Sequence, residues 1–228
     1  MEDYGNSVVR SLNSASATYL RDENSGVLSP RGMLLVAKAG DRDQFEHEHR
    51  QFGLGTISVI EARHKIPILN PEMVQYAGFR EDIYDIDTDL LLQNFRREAL
   101  KNGAEIHIKS QVTALSYGDQ RWTITTPNGV YRATILVNAA GAWADPLAQM
   151  AGLDPLSITP YRRSMARIPA PAGHDVSSWP FMDEVGEAWY AKPDAGQLIV
   201  SPCEEHATHP HDAWADDMVL AEGLARYE

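Results

Sequence analysis

The chain has 228 residues, of which 43% are hydrophobic and 23% charged, as is usual for a folded protein with one large domain or two lobes. A formal net charge of −12 at pH 7 argues against a nucleic-acid-binding surface, because phosphate recognition relies on clustered lysine and arginine. No apolar run approaches the ~18 residues of a spanning helix, and the single cysteine, Cys203, excludes an intramolecular disulfide and fits a reducing cytoplasm.

The N-terminal part of the chain is predicted to alternate helices with short strands. Apolar spacing indicates a helix over residues 7–20, and residues 41–52 are predicted to form a charged helix. Strands are predicted at Met33–Ala37, Ile57–Ala62 and Tyr76–Tyr84. The string Glu46-His-Glu-His49 contains metal-ligand residue types, but adjacent residues on a helix point in different directions, so we interpret it as a solvated face.

The middle of the chain has the pattern of a helix and a strand followed by a hairpin. Asp87 can cap a helix that ends at Asn102-Gly103, and Ala104–Ile108 alternates with period two like a strand. Because a helix followed directly by a strand favours a crossover onto a parallel sheet, we expect parallel strands here. Trp122–Thr126 is predicted to turn back through Pro127-Asn-Gly129, since Asn-Gly is a strong hairpin signal.

The next segment is predicted to run from a buried strand, Thr134–Val137, through a turn of small residues into a helix. Asp145 can cap that helix, with Pro146 in its first turn and Gly152 just past its end. Small residues at such a turn allow backbone amides to approach a ligand closely. The alternative is an ordinary connection in which the alanines serve packing.

The C-terminal part, from Pro155 on, is predicted to contain short strands. They are Tyr161–Ile168, Trp179–Asp183, Glu187–Ala191 and Gln197–Ser201. A run of strands predicts a separate antiparallel sheet, and we expect the early strands to pair with these late ones, so that two lobes interleave. The histidines at positions 206, 209 and 211 have loose metal-like spacing, but no pattern of Cys or carboxylate ligands accompanies them, so no metal site is predicted.

Several strings of this sequence resemble one family of flavoenzymes. Val137-Asn-Ala-Ala-Gly-Ala-Trp143 is similar to the second flavin-contacting segment of the FAD-dependent D-amino-acid oxidase and dehydrogenase family, which includes glycine oxidase and sarcosine oxidase. Further matching segments, in the family's order, are Tyr4–Arg10, Ser29-Pro-Arg-Gly32, Asp85–Asp89, Tyr190–Gly196 and Ser201-Pro202. Within the family the chain most resembles the bacterial D-arginine dehydrogenase type.

The resemblance implies an α+β / α/β fold made of two lobes. An incomplete FAD-binding lobe with parallel strands and a β-meander is expected at residues 85–153. A substrate lobe with an antiparallel sheet and flanking helices is expected from residues 1–84 and 154–228. The family's N-terminal Gly-x-Gly-x-x-Gly turn, which holds the pyrophosphate, and its C-terminal part are not found in this sequence. The chain is therefore expected to be an internal fragment, natural or engineered, that retains FAD poorly.

The resemblance also assigns roles to individual residues. The backbone of Val112 is expected to lie against the adenine, although Val112 by itself reads as a core strand residue. The other expected cofactor-binding residues are Ala139, Ala140, Gly141 and Trp143. The expected substrate-binding residues are Arg163, Tyr190, Tyr4 and Met33. Members that act on arginine or lysine have an acidic side chain where this chain has Met33, and a thioether cannot neutralise a guanidinium.

The expected function is therefore oxidation of the CH–NH group of a neutral or apolar D-amino acid, a related imino acid or an opine-like amine, with hydride transfer to FAD. No catalytic side chain and no metal is assigned, because the cofactor carries the difficult step. The electron acceptor, oxygen or a quinone, is left open. The alternative is a non-catalytic subunit or truncated product that docks with a separate flavin-binding chain. Exposed sheet edges and apolar surface also predict self-association into a dimer.

Overall fold

The computed structural model describes residues 6–24 and 26–227, so Tyr4 lies outside the described residues. In chain order the strands are β1 (Leu28–Pro30), β2 (Met33–Ala37), β3 (Gly55–Ile57), β4 (Tyr76–Arg80), β5 (Tyr84–Ile86), β6 (Ala114–Gly118), β7 (Arg121–Thr126), β8 (Gly129–Ala133), β9 (Tyr161–Arg162), β10 (Ala166–Pro169), β11 (Phe181–Glu184), β12 (Tyr190–Asp194), β13 (Gln197–Ser201) and β14 (His206–Ala207). The helices are α1 (Ser7–Asp22), α2 (Arg42–Gln51), α3 (Val59–Lys65), α4 (Thr88–Lys101), α5 (Ala144–Met150) and α6 (Asp217–Tyr227). This mixture of helices and several sheets confirms the predicted fold class.

The chain divides into two compact units. Unit 1 contains the described residues up to Glu98, residues 163–204 and those from Ala215 on. Unit 2 contains residues 99–162 and 205–214. Each unit therefore draws on segments that are distant in sequence.

A seven-stranded sheet forms the centre of unit 1. Its spatial order is β10-β13-β12-β11-β2-β4-β3. The early strand β2 pairs with the late strand β11, as predicted, and this pair is parallel. The other neighbouring pairs in this sheet are antiparallel.

Strand β2 is buried on both faces because all five of its residues are apolar. Leu34 and Val36 project into a core that also contains Trp179, Trp189, Leu198 and Val200. Met33, Leu35 and Ala37 project to the opposite face, where Phe45 of α2, Leu54 and Val185 form a second core. Alternation along one apolar strand thus supplies both cores.

The helices predicted at residues 7–20 and 41–52 are confirmed as α1 and α2. Asn6 caps α1 by accepting a hydrogen bond from the backbone N–H of Val8 at 2.9 Å. The prediction that residues 46–49 form a solvated face of α2 is wrong for Glu48, which is buried. The reason is tertiary: the Glu48 carboxylate has a backbone partner in a distant turn, described below.

The strand predicted at Ile57–Ala62 is wrong beyond Ile57. Ser58 and Glu61 form a capping box in which the Ser58 hydroxyl accepts from the Glu61 N–H at 3.2 Å and the Glu61 carboxylate accepts from the Ser58 N–H at 2.8 Å. This reciprocal pair starts α3, whose Ala62 is fully buried.

The helix predicted after Asp87 is confirmed as α4. Asp87 accepts from the Leu90 N–H at 2.8 Å, and Gly103 follows the helix with φ +84°.

Unit 2 contains the predicted meander. Strands β6, β7 and β8 form a three-stranded antiparallel sheet, with Pro127 and Asn128 in the tight turn between β7 and β8. The Asn128 side-chain amide donates to the Lys109 carbonyl at 3.0 Å, which ties the turn to the preceding loop. A two-stranded ribbon, β9–β14, and helix α5 complete the regular structure of this unit.

Two strands predicted in unit 2 are wrong. Residues 104–108 and 134–137 have no strand structure, and no strand among the described residues is hydrogen-bonded beside them. A strand needs a lateral partner for its backbone groups, and the apolar pattern alone does not supply one. The side chains of Ile108 and Ile135 are consequently 75% and 78% exposed.

Three further boundaries differ from the sequence prediction. Helix α5 starts at Ala144, so Asp145 is not its cap; the Asp145 carboxylate instead accepts from the N–H groups of Leu156 and Ile158, at 2.8 and 3.0 Å. The strand predicted at residues 161–168 is interrupted and becomes β9 and β10. The strand predicted from Glu187 starts three residues later, because residues 185–187 form a 3-10 turn.

Candidate functional site

Four side chains lie together on one face of the unit 1 sheet, on β2, β11 and β12. Phe181 is the register partner of Met33, and Asp183 is the register partner of Tyr190. Side chains directly opposite each other on paired strands project to the same face. The rings of Phe181 and Tyr190 are in contact, with centroids 5.4 Å apart. Two predicted substrate residues, Met33 and Tyr190, are thereby brought to one apolar and aromatic surface.

Arg163, the third predicted substrate residue, lies just before β10 in the same unit. Its guanidinium Nη2 donates to the Glu187 carboxylate at 3.2 Å, and the two side chains are 36% and 65% exposed. An ion pair this exposed contributes little to stability and is readily exchanged for another carboxylate. Arg163 is thus a cation available to an anionic group near the aromatic surface.

Asp183 is a candidate site residue that was not predicted from the sequence. Burial raises the pKa of its carboxyl to about 7, and the negative charges of Glu48 and Glu187 add to that effect, while Arg163 opposes it. A carboxyl with a pKa near neutrality inside a sheet is typical of functional positions. The signal in the sequence was an acidic residue, Asp183, within the predicted strand Trp179–Asp183. No role was predicted for it.

The turn that carries Glu187 is hydrogen-bonded to α2. The Glu48 carboxylate accepts a hydrogen bond from the Gly186 N–H at 2.9 Å, and the Gln44 amide donates to the same carboxylate. Gly186 and Glu187 have φ of +74° and +52°. For Glu187 this left-handed conformation is strained, and the buried Glu48 anchor helps to keep it.

A second charged network fixes the strands around the aromatic surface. The Asp85 carboxylate pairs with Arg31 Nε at 2.7 Å and with Lys192 Nζ at 3.0 Å. Arg31 also donates to the carbonyls of Ser177 and Trp179, just before β11. Because Lys192 lies two residues after Tyr190, this network ties the chain around Arg31 to both β11 and β12. It therefore fixes the positions of Met33, Phe181 and Tyr190.

The single cysteine, Cys203, adjoins this region but has the character of a structural thiol. It is buried, and burial raises the pKa of its thiol to about 12, with the Asp183 charge adding to the effect. A thiol that stays protonated at neutral pH is a poor nucleophile.

The predicted cofactor residues belong to unit 2. Ala139 to Trp143 form one turn in which the Asn138 side chain accepts from the Ala140 N–H at 3.3 Å and donates to the Ala144 carbonyl at 2.8 Å. Gly141 has φ +54°, and a Cβ there would meet nothing within 4 Å. Trp143 is 46% exposed. A backbone turn with open space around its glycine fits the close approach of a cofactor.

Val112, the remaining predicted cofactor residue, is half-buried and lies two residues before β6. The N–H of the next residue, Thr113, donates to the Thr125 carbonyl at 2.8 Å, so the backbone here is tied to the meander. Its contact with adenine stays a prediction.

Within residues 6–24 and 26–227, no group of three or more His, Cys, Asp and Glu side chains is arranged to hold a metal ion. None of the helices in the same residues combines the length and apolar character needed to cross a bilayer.

Comparison with known families decides the class of protein. The model of the family described as "FAD dependent oxidoreductase" matches residues 7–227. This chain belongs to that family. FAD is thus the cofactor of the family, and the resemblance seen in the sequence is confirmed at the family level.

Individual relatives of this FAD-dependent oxidoreductase chain include human mitochondrial dimethylglycine dehydrogenase, which is 26% identical over 202 residues, covering 85% of this chain and 23% of the human protein. L-proline dehydrogenase from P. horikoshii matches with a TM-score of 0.79 and 18% identity, over all of this chain and 63% of its own. FAD-bound L-α-glycerophosphate oxidase from Mycoplasma pneumoniae matches with a TM-score of 0.78 and 20% identity, over 94% of this chain and 62% of its own.

These relatives set limits on what the likeness shows. The chain spans less than two thirds of the length of each. At identities of 20% or less, the two solved structures establish the fold alone. The substrates in their names, an amino acid and a glycerophosphate, differ in chemistry, so the shared fold does not identify the substrate of this chain.

Proposed function

We propose that this chain forms the substrate-binding part of an FAD-dependent oxidoreductase that acts on the CH–NH group of a small amino acid or related amine. One observation supports this proposal most directly: Met33, Phe181 and Tyr190 share one sheet face, in the same unit as the exchangeable cation of Arg163. An apolar wall, a phenol and a guanidinium suit a small molecule with one carboxylate. In these terms unit 1 corresponds to the substrate lobe and unit 2 to part of the flavin lobe.

The residues of this chain have distinct tasks in the proposal. Arg163 exchanges Glu187 for the substrate carboxylate and holds it by charge-assisted hydrogen bonds. Tyr190 donates a hydrogen bond from its hydroxyl and, with Phe181, limits the rotation of the bound molecule, which orients the reacting carbon. FAD would supply the acceptor for the hydride of that carbon. The open turn at Ala139–Trp143, with Val112, would hold the cofactor.

The preferred substrates in this proposal are neutral D-amino acids or imino acids. Met33 is nearly buried at the start of β2, with 9% of its surface exposed. A cationic side-chain terminus placed against this thioether would lose its hydration without gaining a partner. Binding of D-arginine more tightly than D-proline, measured by calorimetry, would contradict this preference.

The carboxylate site is tested with pyrrole-2-carboxylate, which cannot lose a hydride to flavin as an amino acid does. We expect Arg163→Gln to weaken its binding about tenfold or more, because a charge-assisted pair is lost. Arg167→Gln is the matched control, since Arg167 is also an exposed arginine of unit 1 paired with a carboxylate, that of Asp194. Equal effects of the two variants on the calorimetric Kd would remove Arg163 from the substrate site.

Cofactor retention is a separate part of the proposal. We expect the purified chain to be colourless, because affinity for the pyrophosphate depends strongly on the glycine turn and helix dipole that this sequence lacks. Flavin absorbance that survives dialysis would contradict that expectation.

We also propose a cytoplasmic location, with which the buried, single thiol of Cys203 is compatible. Cell fractionation would test this location.

A second candidate function is a non-catalytic subunit that docks with a separate flavin-binding chain. The exposed apolar segments around Ile108 and Ile135 favour it, since isolated apolar surface of this kind marks an interaction site. A yellow, catalytically competent protein purified as a single chain would exclude this candidate.

A further inference from the structure

The site proposed above assigns a partner to the carboxylate of the substrate but none to its nitrogen. Asp183 is a candidate for that role. A small amino acid carries an ammonium group as well as a carboxylate, and Arg163 can serve only the carboxylate. Asp183 is directly opposite Tyr190 in the β11–β12 pair and directly opposite Leu35 in the β11–β2 pair. Its carboxyl therefore projects from the same face as Phe181 and Tyr190.

We infer that Asp183 binds the substrate ammonium and so restricts this site to amines that carry a carboxylate. The inference rests on the proposed function, because it assumes that Arg163 and Tyr190 hold the rest of the molecule. It adds a specificity-determining residue that selects for the charged nitrogen rather than for the side chain. A carboxylic acid without an amine would satisfy Arg163 but leave Asp183 without a partner.

The surroundings of Asp183 favour a cation. Its carboxyl is partly buried and interacts with the negative charges of Glu48 on α2, Glu187 on the 3-10 turn and its neighbour Glu184. Arg163 is the one positive group among its strongest electrostatic partners, and Arg163 has Glu187 as a partner. An ammonium placed here would gain from several carboxylates at low local dielectric.

This arrangement also predicts a change in protonation when ligand binds. Burial and the neighbouring carboxylates raise the pKa of Asp183 to about 7, so the group is about half protonated at neutral pH in the absence of ligand. An ammonium beside it lowers that pKa and drives the proton off. Binding of an amine ligand at pH 7 should therefore release protons, whereas a ligand without an ammonium should not.

The test compares two probes of nearly the same shape, D-proline and pyrrole-2-carboxylate, in which the ring nitrogen is cationic and neutral, respectively. We expect Asp183→Asn to weaken D-proline binding about tenfold and to leave pyrrole-2-carboxylate binding within about twofold of wild type. Asp183→Glu should restore part of the D-proline affinity. Asp194→Asn is the control, because Asp194 is an aspartate of the neighbouring strand β12 whose carboxylate pairs with Arg167.

Calorimetry in phosphate and in Tris at pH 7 reports both Kd and protons released, and no turnover is required. Loss of affinity for both probes in Asp183→Asn, or for neither, would overturn the inference, as would D-proline binding without proton release. Failure of the proposed function looks different, because pyrrole-2-carboxylate binding would then be insensitive to Arg163→Gln. Absence of binding of either probe to the wild-type chain would overturn both.

Discussion

The carboxylate of Glu48 accepts a hydrogen bond from the backbone N–H of Gly186, a residue 138 positions later in the chain. This contact joins α2 to the strained turn that carries Glu187, the partner of Arg163. Because Glu48 also raises the pKa of Asp183, one buried side chain affects both charged groups of the candidate site.

We expect Glu48→Ala to lower the free energy of unfolding by about 1–3 kcal/mol, since the Gly186 N–H loses its charged acceptor. Glu48→Gln keeps an acceptor and should cost less, but by removing the charge it should also lower the pKa of Asp183. Urea unfolding measures the first effect, and NMR titration of the Asp183 carboxyl carbon measures the second. An unchanged Asp183 titration in Glu48→Gln would show that the two carboxyls do not interact.

The pH dependence of stability should show the Asp183 titration directly. In the folded chain the pKa of Asp183 is about 7, so its carboxyl keeps the proton up to that pH, whereas in the unfolded chain it loses the proton near its ordinary pKa of 3.8. Between these values the folded state binds more protons, so this contribution to stability is fully present below about pH 4 and is lost as the pH rises to about 7.

Asp183→Asn should remove this contribution. The free energy of unfolding of wild type minus that of the variant should therefore fall as the pH rises from 4 to 8. We expect a change on the order of 1–2 kcal/mol, because partial exposure screens the full effect. Urea midpoints at several pH values provide the measurement. Asp194→Asn, which changes an aspartate on the neighbouring strand and leaves Asp183 in place, serves as the control and should keep the fall in stability that Asp183 causes.

Gly223 should be intolerant of a methyl group although it lies inside a helix. A Cβ at this position of α6 would come within 2.2 Å of Pro202 Cβ and 3.0 Å of Pro202 Cα. Ala normally stabilises a helix by about 1 kcal/mol relative to Gly, but here we expect Gly223→Ala to destabilise the chain by about 1–3 kcal/mol. Glu222→Ala, on the exposed side of the same turn, should be nearly neutral. A rise in Tm for Gly223→Ala would contradict the close packing of α6 on Pro202.

The unpaired apolar segments of unit 2 predict self-association. Ile108, Ile135 and Val137 are each more than 70% exposed. Exposed apolar side chains of this kind favour association by the hydrophobic effect. We expect sedimentation velocity to show a dimer or larger species, and Ile135→Asp to shift the distribution towards monomer. Ile60→Asp, at a 70% exposed isoleucine of unit 1, is the control. A wild-type chain that is monomeric at all concentrations would disprove the prediction.

The sequence by itself determined those elements whose cause is local. The Asp87 cap, the Asn128-Gly129 turn and the apolar run Met33–Ala37 are formed as predicted, because each depends on residues a few positions apart. The family, and with it FAD as the cofactor, was also recognisable from short strings such as Val137–Trp143. The Ser58–Glu61 capping box has a local sequence signature, but the apolar residues around it favoured the prediction of a strand.

Only the tertiary structure decided which segments meet. Apolar residues 104–108 and 134–137 have the composition of strands, yet a strand also requires a partner, and the described residues provide none beside them. The burial of Asp183 and Glu48 and the repulsion between them could not be predicted from the sequence, since the two residues belong to segments more than a hundred residues apart. A pKa depends on solvation and on nearby charges, and both are properties of the folded chain.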